Sequence, residues 1–553
     1  MMPESHKERQ LSQESPKQTI VLDPTHAAFD AGAHPRDLGP THFIGIGGAG
    51  MSVLAEMLRA QGIAVDGSDR ERSAKTDRLE SLGITVEFGQ QAKNVEGAET
   101  VVYSSAIKPD NPEIVAAHEA GARIVHRSDI LALLMNGKQA VTVAGAHGKT
   151  TTSSMLAHIL VRTGADPSYA IGGAIQGPDG TTLDGGHAGQ GSVLVAEADE
   201  SDGSFAKYHP TIAIITNAEA DHLDHYGDEA HYRAAFVDHA GRATGHVVIC
   251  ADDPDALAVL QALPAEVGSH AIAYGTTPAD QLPDLGGVGY VWIASESETA
   301  GSGIERLNLH LPAEVTSGEA VCQEVTLKVP GIHNARNAAA AITAAVLLGV
   351  SPADAAYAVG TFLGAARRFQ VRGVVKQVTV VDDYAHHPTE IAALLDAARR
   401  RYPDSTIHVL FQPHLFSRTR FFAREFAQAL AKADDVIVTG IFPAREKQSD
   451  FPGISASTIV EAAAGLKDEP AGGSAGGSDG ESAGGSDGES AGGSAGGSDG
   501  VWIQAVDDMC LAARMMAMRA HHGDVVFTVG AGDITEMGQV LLTALEAHRE
   551  SCD

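Results

Sequence analysis

From Thr41 onward, short runs of β-branched and aliphatic residues alternate with longer segments whose apolar positions recur at helical spacing. His42–Ile46 reads as a strand, Ala49–Gln61 as a helix, and Ile63–Val65 and Val101–Ser104 as further strands. This strand-then-helix order predicts a doubly wound α/β unit over 41–136. A second α/β block, 137–364, opens with the run Val141-Thr142-Val143-Ala144 and continues through strands at Val193–Ala196, Ile212–Thr216 and His246–Cys250. Its stretch from Thr276 to Pro330 is unevenly patterned and is expected to add strands and loops before a helix over Asn334–Leu348. A third block, 365–553, carries strands at Thr379–Val381, Ile407–Phe411, Val436–Thr439 and Val525–Val529, with amphipathic helices between them.

Two segments break the pattern. Residues 1–40 are polar, without a clear period, and are expected to form a disordered extension. Ala471–Gly500 is built from Ala-Gly-Gly-Ser and Asp-Gly-Glu-Ser units that cannot form a core. Because it interrupts the third block, it is expected to be a flexible insertion and not a domain boundary.

Length and charge narrow the function classes. A chain of 553 residues is long enough for three or four domains. A net charge of −32 argues against general nucleic-acid binding. The four cysteines, Cys250, Cys322, Cys510 and Cys552, lie far apart and form no zinc or disulfide pattern. With no long apolar run, the expectation is a cytoplasmic protein, free of membrane, acting as a monomer or homodimer.

The chemistry concentrates at strand ends. After Val141–Ala144 comes the turn Gly145-Ala146-His147-Gly148-Lys149-Thr150-Thr151, leading into a helix beginning near Thr150. Backbone N–H groups of such a turn cradle phosphates, a lysine adds a point charge, and a threonine hydroxyl can hold Mg²⁺. The loop is shorter than the general pattern, since Val143 stands where the first glycine belongs. The expected ligand is a nucleoside triphosphate. Gly45-Ile46-Gly47-Gly48-Ala49-Gly50 is a second glycine-rich turn, with Asp69 nineteen residues beyond Gly50. Alone it suits NAD or any other diphosphate-linked nucleoside. Glu197, Asp199, Glu200 and Asp202 follow one strand and Asp221-His222-Leu223-Asp224-His225 another. Carboxylates there can hold Mg²⁺ beside Thr150; a histidine ligand would also accept Mn²⁺. In the third block, Asp382–Pro388 and Gln412–Arg420 form polar clusters suited to charged substrates.

Taken together, these motifs resemble the Mur ligases. Phe43–Ser52, Gly67-Ser68-Asp69, Ser104-Ser105-Ala106-Ile107, His147–Thr152, Glu197–Asp202, Glu219–Asp224, Gly331–Asn334 with Asn337, Arg367-Arg368-Phe369, Tyr384–Pro388 and Gly530-Ala531-Gly532 occur in family order. The Gly45–Ser52 run is more particular to the alanine-adding branch. The resemblance implies three α/β domains: a Rossmann-like domain for a UDP sugar, a central P-loop ATPase and a Rossmann-like C-terminal domain. It implies an ATP-dependent amide ligase that joins L-alanine to the carboxylate of UDP-N-acetylmuramate through an acyl phosphate. Gly47, Gly48, Gly50, Met51, Ser52 and Asp69 would bind the UDP sugar, with Ser104, Ser105, Ala106 and Ile107 beside it. Gly145, Ala146, His147, Gly148, Lys149, Thr150 and Thr151 would bind ATP, with Asn334 and Asn337 near the adenine. Thr150 and Glu197 would hold one Mg²⁺ and His222 a second. Arg368, Asp383, Tyr384, His386 and Arg418 would complete the nucleotide and amino-acid pocket. Lys149, His222, His386 and Arg418 are the expected catalytic set.

Several departures from the family pattern accompany it. Ala146 and Leu415 stand where threonine and arginine are common, and no lysine follows His222 before Gly245. Two other readings stay open: a related ligase that attaches a recovered peptide to the same sugar nucleotide, and a nicotinamide-dependent dehydrogenase.

Overall fold

The computed structural model describes residues 20–30, 32–176, 182–295, 304–444, 446–466 and 502–547. The expected insertion at 471–500 lies outside them, as do residues 1–19. Three sheets and a two-stranded hairpin carry the chain.

The first sheet contains β1 (Thr41–Ile44), β2 (Val65–Asp69), β3 (Thr85–Phe88), β4 (Thr100–Tyr103) and β5 (Arg123–His126), all parallel in the order β3-β2-β1-β4-β5. The order reverses between β1 and β4, where the ends of adjacent strands diverge into a crevice. The glycine turn follows β1, and Ser104–Ile107 follows β4. Both therefore open at that crevice.

The central sheet has β6 (Gln139–Ala144), β7 (Ser168–Ala170), β10 (Gly186–His187), β11 (Val193–Glu197), β12 (Ile212–Ile215), β13 (His246–Cys250), β14 (Ala271–Gly275), β15 (Gly289–Ser295), β16 (Glu305–Leu311) and β17 (Val321–Leu327); the separate hairpin is β8 (Ile175–Gln176) with β9 (Thr182–Leu183). Strand β6 lies between β11 and β12 and is parallel to both. The phosphate loop after β6 is thus flanked by the acidic loops that follow its two neighbours. One face is covered by helix Lys149–Arg162, through Met155, Leu156, Ile159 and Leu160, and by the alanine-rich helix Ile332–Leu347, both packed against the aliphatic strands. The unevenly patterned stretch resolves into β15, parallel to β14, followed by β16 and β17 in antiparallel pairing.

The third sheet orders β18 (Gln370–Val375), β19 (Val378–Asp383), β20 (Ile407–Phe411), β21 (Asp435–Val438), β22 (Ile503–Ala505) and β23 (Val525–Val529) as β18-β19-β23-β20-β21-β22, with only β18 antiparallel. Helices cover both faces, giving two apolar cores.

The expectation of disorder through residue 40 needs correcting. Ile20 and Leu22 pack against the β4 side of the first sheet, and Leu38 is buried in its core. Pro35–Leu38 forms a 3₁₀ turn capped by His34. The buried Lys207 ammonium adds a tie, donating to the His26 carbonyl and to Asp129 at 2.6 Å. A few apolar and charged anchors fix a segment whose composition alone predicts none.

Buried histidines pin strands through charge. His408 on β20 lies between Asp435 (3.0 Å) and Asp524 (3.1 Å) and is 3% exposed. Burial opposes charge on the ring, but the two carboxylates outweigh it and raise the His408 pKa above its usual value. A raised folded-state pKa stabilises fully below the unfolded value near 6.5, and that stabilisation is lost as pH rises through the folded value. Thermal unfolding followed from pH 6 to 9 should therefore show stability falling with pH. His408→Gln should flatten that slope and cost roughly 3 kcal/mol at pH 6; an unchanged slope would exclude the pairing as its source.

Candidate active site

The phosphate loop is shaped by two glycines. Gly145 has φ +143°, and a Cβ there would sit 2.1 Å from Thr216 Oγ1; Gly148 has φ +85°, with Asn337 Oδ1 at 2.8 Å from its notional Cβ. Thr216 donates to the His147 carbonyl at 2.5 Å, and Asn217 Oδ1 accepts from the His147 N–H at 3.0 Å. The loop is thus clamped from β12 before any ligand arrives. Lys149 Nζ donates to the Gly145 carbonyl at 2.6 Å and to Glu200 at 2.8 Å. Burial works against its charge, but Glu200 more than compensates and its pKa is raised.

Around it the charges come in pairs. Burial pushes Glu197 upward; its carboxylate accepts from Gly172 N at 2.8 Å and faces the Thr150 hydroxyl. Burial pushes Asp199 upward too, yet Arg127 of the first unit, 3.1 Å away, and Lys149 draw it down to about 2. Asp221 is held below the usual carboxylate range against burial by Arg418, whose Nη2 donates to both its oxygens at 2.8 and 2.9 Å. His222 has a left-handed backbone, φ +52°, and its Nε2 is 3.8 Å from both Glu200 and Asp221.

These residues line a cavity of about 730 Å³ to which all three units contribute. The first unit supplies Gly50 and Arg127. The central unit supplies Ala146, Gly148, Lys149, Thr150, Glu197, Asp199, Glu200, Asp221 and His222. The third supplies Arg367, Arg368, Tyr384, His386, Glu390, His414, Leu415 and Arg418. An adjoining cavity of about 250 Å³ is lined by His147, Thr151, Asn334, Asn337, Arg368 and Asp383. All four residues expected to be catalytic, Lys149, His222, His386 and Arg418, therefore share one cavity. The expected nucleotide set lines one or both, except Gly145 at the start of the loop.

Asp383 is buried, which pushes its carboxyl up to about 6, and it accepts from Phe369 N at 2.7 Å and Ala385 N at 2.8 Å. His386 is driven down to about 3 by burial, so it is neutral at pH 7; its Nδ1 lies 3.1 Å from the Tyr384 carbonyl. The guanidinium carbons of Arg367 and Arg368 lie 4.9 and 5.2 Å from the Tyr384 ring centre. Leu415 takes φ +70° and donates its N–H to the Phe442 carbonyl, which aims the following turn at the cavity.

The first unit's residues are placed differently. Asp69 Oδ2 accepts from Gly47 N at 2.7 Å and Oδ1 from Arg70 N, so its carboxylate braces the glycine turn. Met51 and Ser52, expected at the UDP sugar, are buried, so their side chains support the helix. Gly48 is the helix N-cap and stands exposed. Ser105 reaches Asp202 of the central unit at 2.5 Å and His126 at 3.0 Å; Ser104, Ala106 and Ile107 form the turn around it.

Three partners escaped the sequence reading. Arg127 follows β5 with no motif to mark it. Glu200 was read as acidic, not as the counter-ion of Lys149. Glu390 pairs with His147 and Arg368, which hold it well below the usual carboxylate range against burial, and it lies 3.2 Å from Nδ1 of the neutral His386. Its one signal is the spacing His386 to Glu390, four residues.

Asp221→Asn should loosen the contact between the central and third units. Breaking a buried pair on one side costs about 3 kcal/mol. Amide hydrogen exchange should accelerate over Phe416–Phe421; unchanged exchange there would show that Arg418 does not hold the units together.

Comparison with known proteins bears on the whole length. Residues 40–139 match the Mur ligase family catalytic domain, 143–345 the Mur ligase middle domain and 367–532 the Mur ligase glutamate ligase domain. The UDP-N-acetylmuramate–L-alanine ligase of Bifidobacterium longum strain NCC 2705 is 79% identical over 98% of this chain and 100% of its own. That of Renibacterium salmoninarum is 42% identical over 92% of this chain and 96% of its own. The crystal structure of the UDP-N-acetylmuramate–alanine ligase of Thermotoga maritima superposes with a TM-score of 0.67 at 28% identity, covering 92% of this chain and all of that one. A murein peptide ligase of Psychrobacter arcticus shares the fold at 24% identity, with a TM-score of 0.61 over 92% of this chain and 99% of its own.

Proposed function

This chain belongs to the Mur ligase family, and on that premise we propose how its residues divide the work of the reaction. It is an ATP-dependent ligase that joins L-alanine to the carboxylate of UDP-N-acetylmuramate in peptidoglycan precursor synthesis. The observation that carries the assignment of roles is the shared cavity, lined both by the phosphate loop and by Tyr384, His386 and Arg418 of the third unit.

A carboxylate does not acylate an amine at neutral pH, because oxide would have to leave. Phosphorylation by ATP turns the muramoyl carboxylate into an acyl phosphate. The amine of L-alanine attacks its carbonyl carbon, a tetrahedral intermediate forms, and phosphate departs with the C–O bond electrons. Lys149 offsets charge on the γ-phosphoryl group by exchanging Glu200 for phosphate oxygens. Asn334, Asn337 and Arg368 border the smaller cavity, which suits the adenine end, and Asp383 fixes the strand end beside it. The glycine turn and Ser104–Ile107, at the crevice of the first sheet, suit the UDP diphosphate. Neutral His386 accepts a hydrogen bond from the amine at Nε2, while Arg418 and the stacked Arg367 and Arg368 draw the alanine carboxylate.

Mg²⁺ fits the site. Glu197 is a buried carboxylate that burial alone leaves under-compensated, and the Thr150 hydroxyl faces it. These two would hold one ion and His222 a second; when bound, the ions offset charge on the phosphoryl oxygens. The family role and the absence, among the described residues, of a helix long and apolar enough to cross a membrane support a cytoplasmic enzyme. Its working form is a monomer or homodimer.

The peptide-recovering alternative is disfavoured by alanine-ligase relatives at 79% and 42% identity. A dehydrogenase would leave Lys149 and Thr150 without a role, and Asp69 is already engaged with Gly47.

Lys149→Ala should lower turnover by roughly 10³-fold while calorimetry finds UDP-N-acetylmuramate binding nearly unchanged. Lost sugar-nucleotide binding with retained ATP hydrolysis would reverse the assignment of the two glycine turns. His386→Ala should raise the KM for L-alanine while positional isotope exchange in ATP, which reports acyl-phosphate formation, persists. Because the cavity lining comes from different units, L-alanine should bind last. Tight binding of L-alanine to the nucleotide-free enzyme would refute that order.

A further inference from the structure

Where the phosphate loop meets the third unit, three side chains of metal-ligand type converge. His147 comes from that loop, Glu219 from the segment after β12, and His387 from the turn between β19 and the helix Pro388–Arg401. One ligand atom from each lies within 4.8 Å of the other two. His147 Nε2 is 3.3 Å from Glu219 Oε2, His387 Nδ1 is 3.9 Å from Glu219 Oε1, and the two rings are 5.0 Å apart. His387 is 3% exposed and lines neither cavity. Neither of its ring nitrogens has a hydrogen-bond partner, nor has either nitrogen of His147.

Four buried imidazole nitrogens that face carboxylates or a helix N-terminus without closing to a hydrogen bond call for an explanation. A shared proton would draw nitrogen and carboxylate oxygen to about 2.7–2.9 Å. A tetrahedral cation with bonds of about 2.0–2.1 Å holds its ligand atoms roughly 3.3 Å apart. The His147–Glu219 distance of 3.3 Å matches the second case, and the His387–Glu219 distance of 3.9 Å is longer than either. The outer contacts also fit: Thr389 donates to Glu219 Oε1 at 2.7 Å, and the far nitrogen of His147 faces Glu390 at 3.3 Å. Second contacts of this kind orient metal ligands.

We propose that His147, Glu219 and His387 form a divalent-cation site for an ion of the Zn²⁺ class, joining the phosphate loop to the third unit. Two imidazoles and one carboxylate select such an ion over Mg²⁺, which takes oxygen ligands. Three protein ligands leave one coordination position open. The ion ties the phosphate loop to the turn that carries Tyr384 and His386. It is separate from the Thr150–Glu197 and His222 positions, so it stands whether or not those hold Mg²⁺.

The test uses the full-length enzyme, free of nucleotide and saturated with Mg²⁺. Co²⁺ is titrated first, and its visible absorption shows whether coordination is tetrahedral. Zn²⁺ affinity is then measured by competition with a chromophoric chelator. The wild type should give tetrahedral Co²⁺ bands that Zn²⁺ abolishes. His387→Asn should weaken Zn²⁺ binding by roughly 100-fold or more, since even outer contacts of metal ligands are worth 10–100-fold. Glu219→Gln should do the same while keeping its shape, which covers failure of the first variant to fold. His222→Asn should leave the Co²⁺ bands in place. Absence of tetrahedral bands in the wild type, or equal Zn²⁺ affinity in wild type and both variants, would overturn the proposal and leave the cluster as an ion pair only.

Discussion

A cleft that receives phosphates and carboxylates must hold cations out of water, and those cations need partners before substrate comes. That constraint organises this molecule. Lys149 is paired with Glu200, Arg127 with Asp199, Arg418 with Asp221 and Arg368 with Glu390. An unpaired buried charge costs several kcal/mol, so the most buried pairs, Lys149–Glu200 and Arg418–Asp221, are needed for folding as well as for chemistry. When a phosphate oxygen takes the place of Glu200, one anion replaces another and little desolvation remains to be met. Because Arg127–Asp199 and Arg418–Asp221 span different units, the same pairs hold the three sheets around the cavity.

Much of the fold was legible because parallel strands buried on both faces read as continuous β-branched runs. His246–Cys250, Ile407–Phe411 and Val525–Val529 have the boundaries expected of them. The second strand was misplaced: the reading stopped at Val65, where the strand begins. Asp66, Gly67 and Ser68 look like a turn, but Gly67 sits where a Cβ would approach the Phe43 carbonyl to 2.6 Å. Its bareness serves close strand packing. Strands β15–β17 were blurred for a related reason, since one exposed face dilutes the apolar signal.

The site was legible in its backbone and less so in its side-chain partners. Sheet topology sends every loop after a parallel strand to the same edge, so strand-end motifs could be gathered without coordinates. Which charge meets which could not. Glu390 serves two cations, one from each of two units, and Arg127 reaches across a domain boundary; neither relation leaves a periodic trace. Met51 and Ser52 show the converse, motif residues whose side chains are part of the packing beneath the glycine turn. Ile20, Leu22 and Leu38 illustrate the same limit, since isolated apolar residues in a polar stretch reveal their value only once a surface exists to receive them.

The two edges of the third sheet have unequal obligations. Connections leaving its parallel strands enter the cleft, whereas those returning from helices to strands meet the opposite edge. The helix Ala456–Leu466 and the parallel strand β22 bracket one such return, and the Gly-, Ser- and Asp-rich stretch is spliced between them. Chain added there joins the sheet at the edge where helices return to strands, opposite the strand ends that open into the cleft. A gene can therefore lengthen, shorten or scramble that stretch by replication slippage, and selection on catalysis has little to act upon. The same repeat placed after β19, β20 or β23 would meet the chemistry at once. The sheet sorts mutational freedom by end, and the helix Ala456–Leu466 and strand β22 that flank the low-complexity tract in sequence meet at the permissive one.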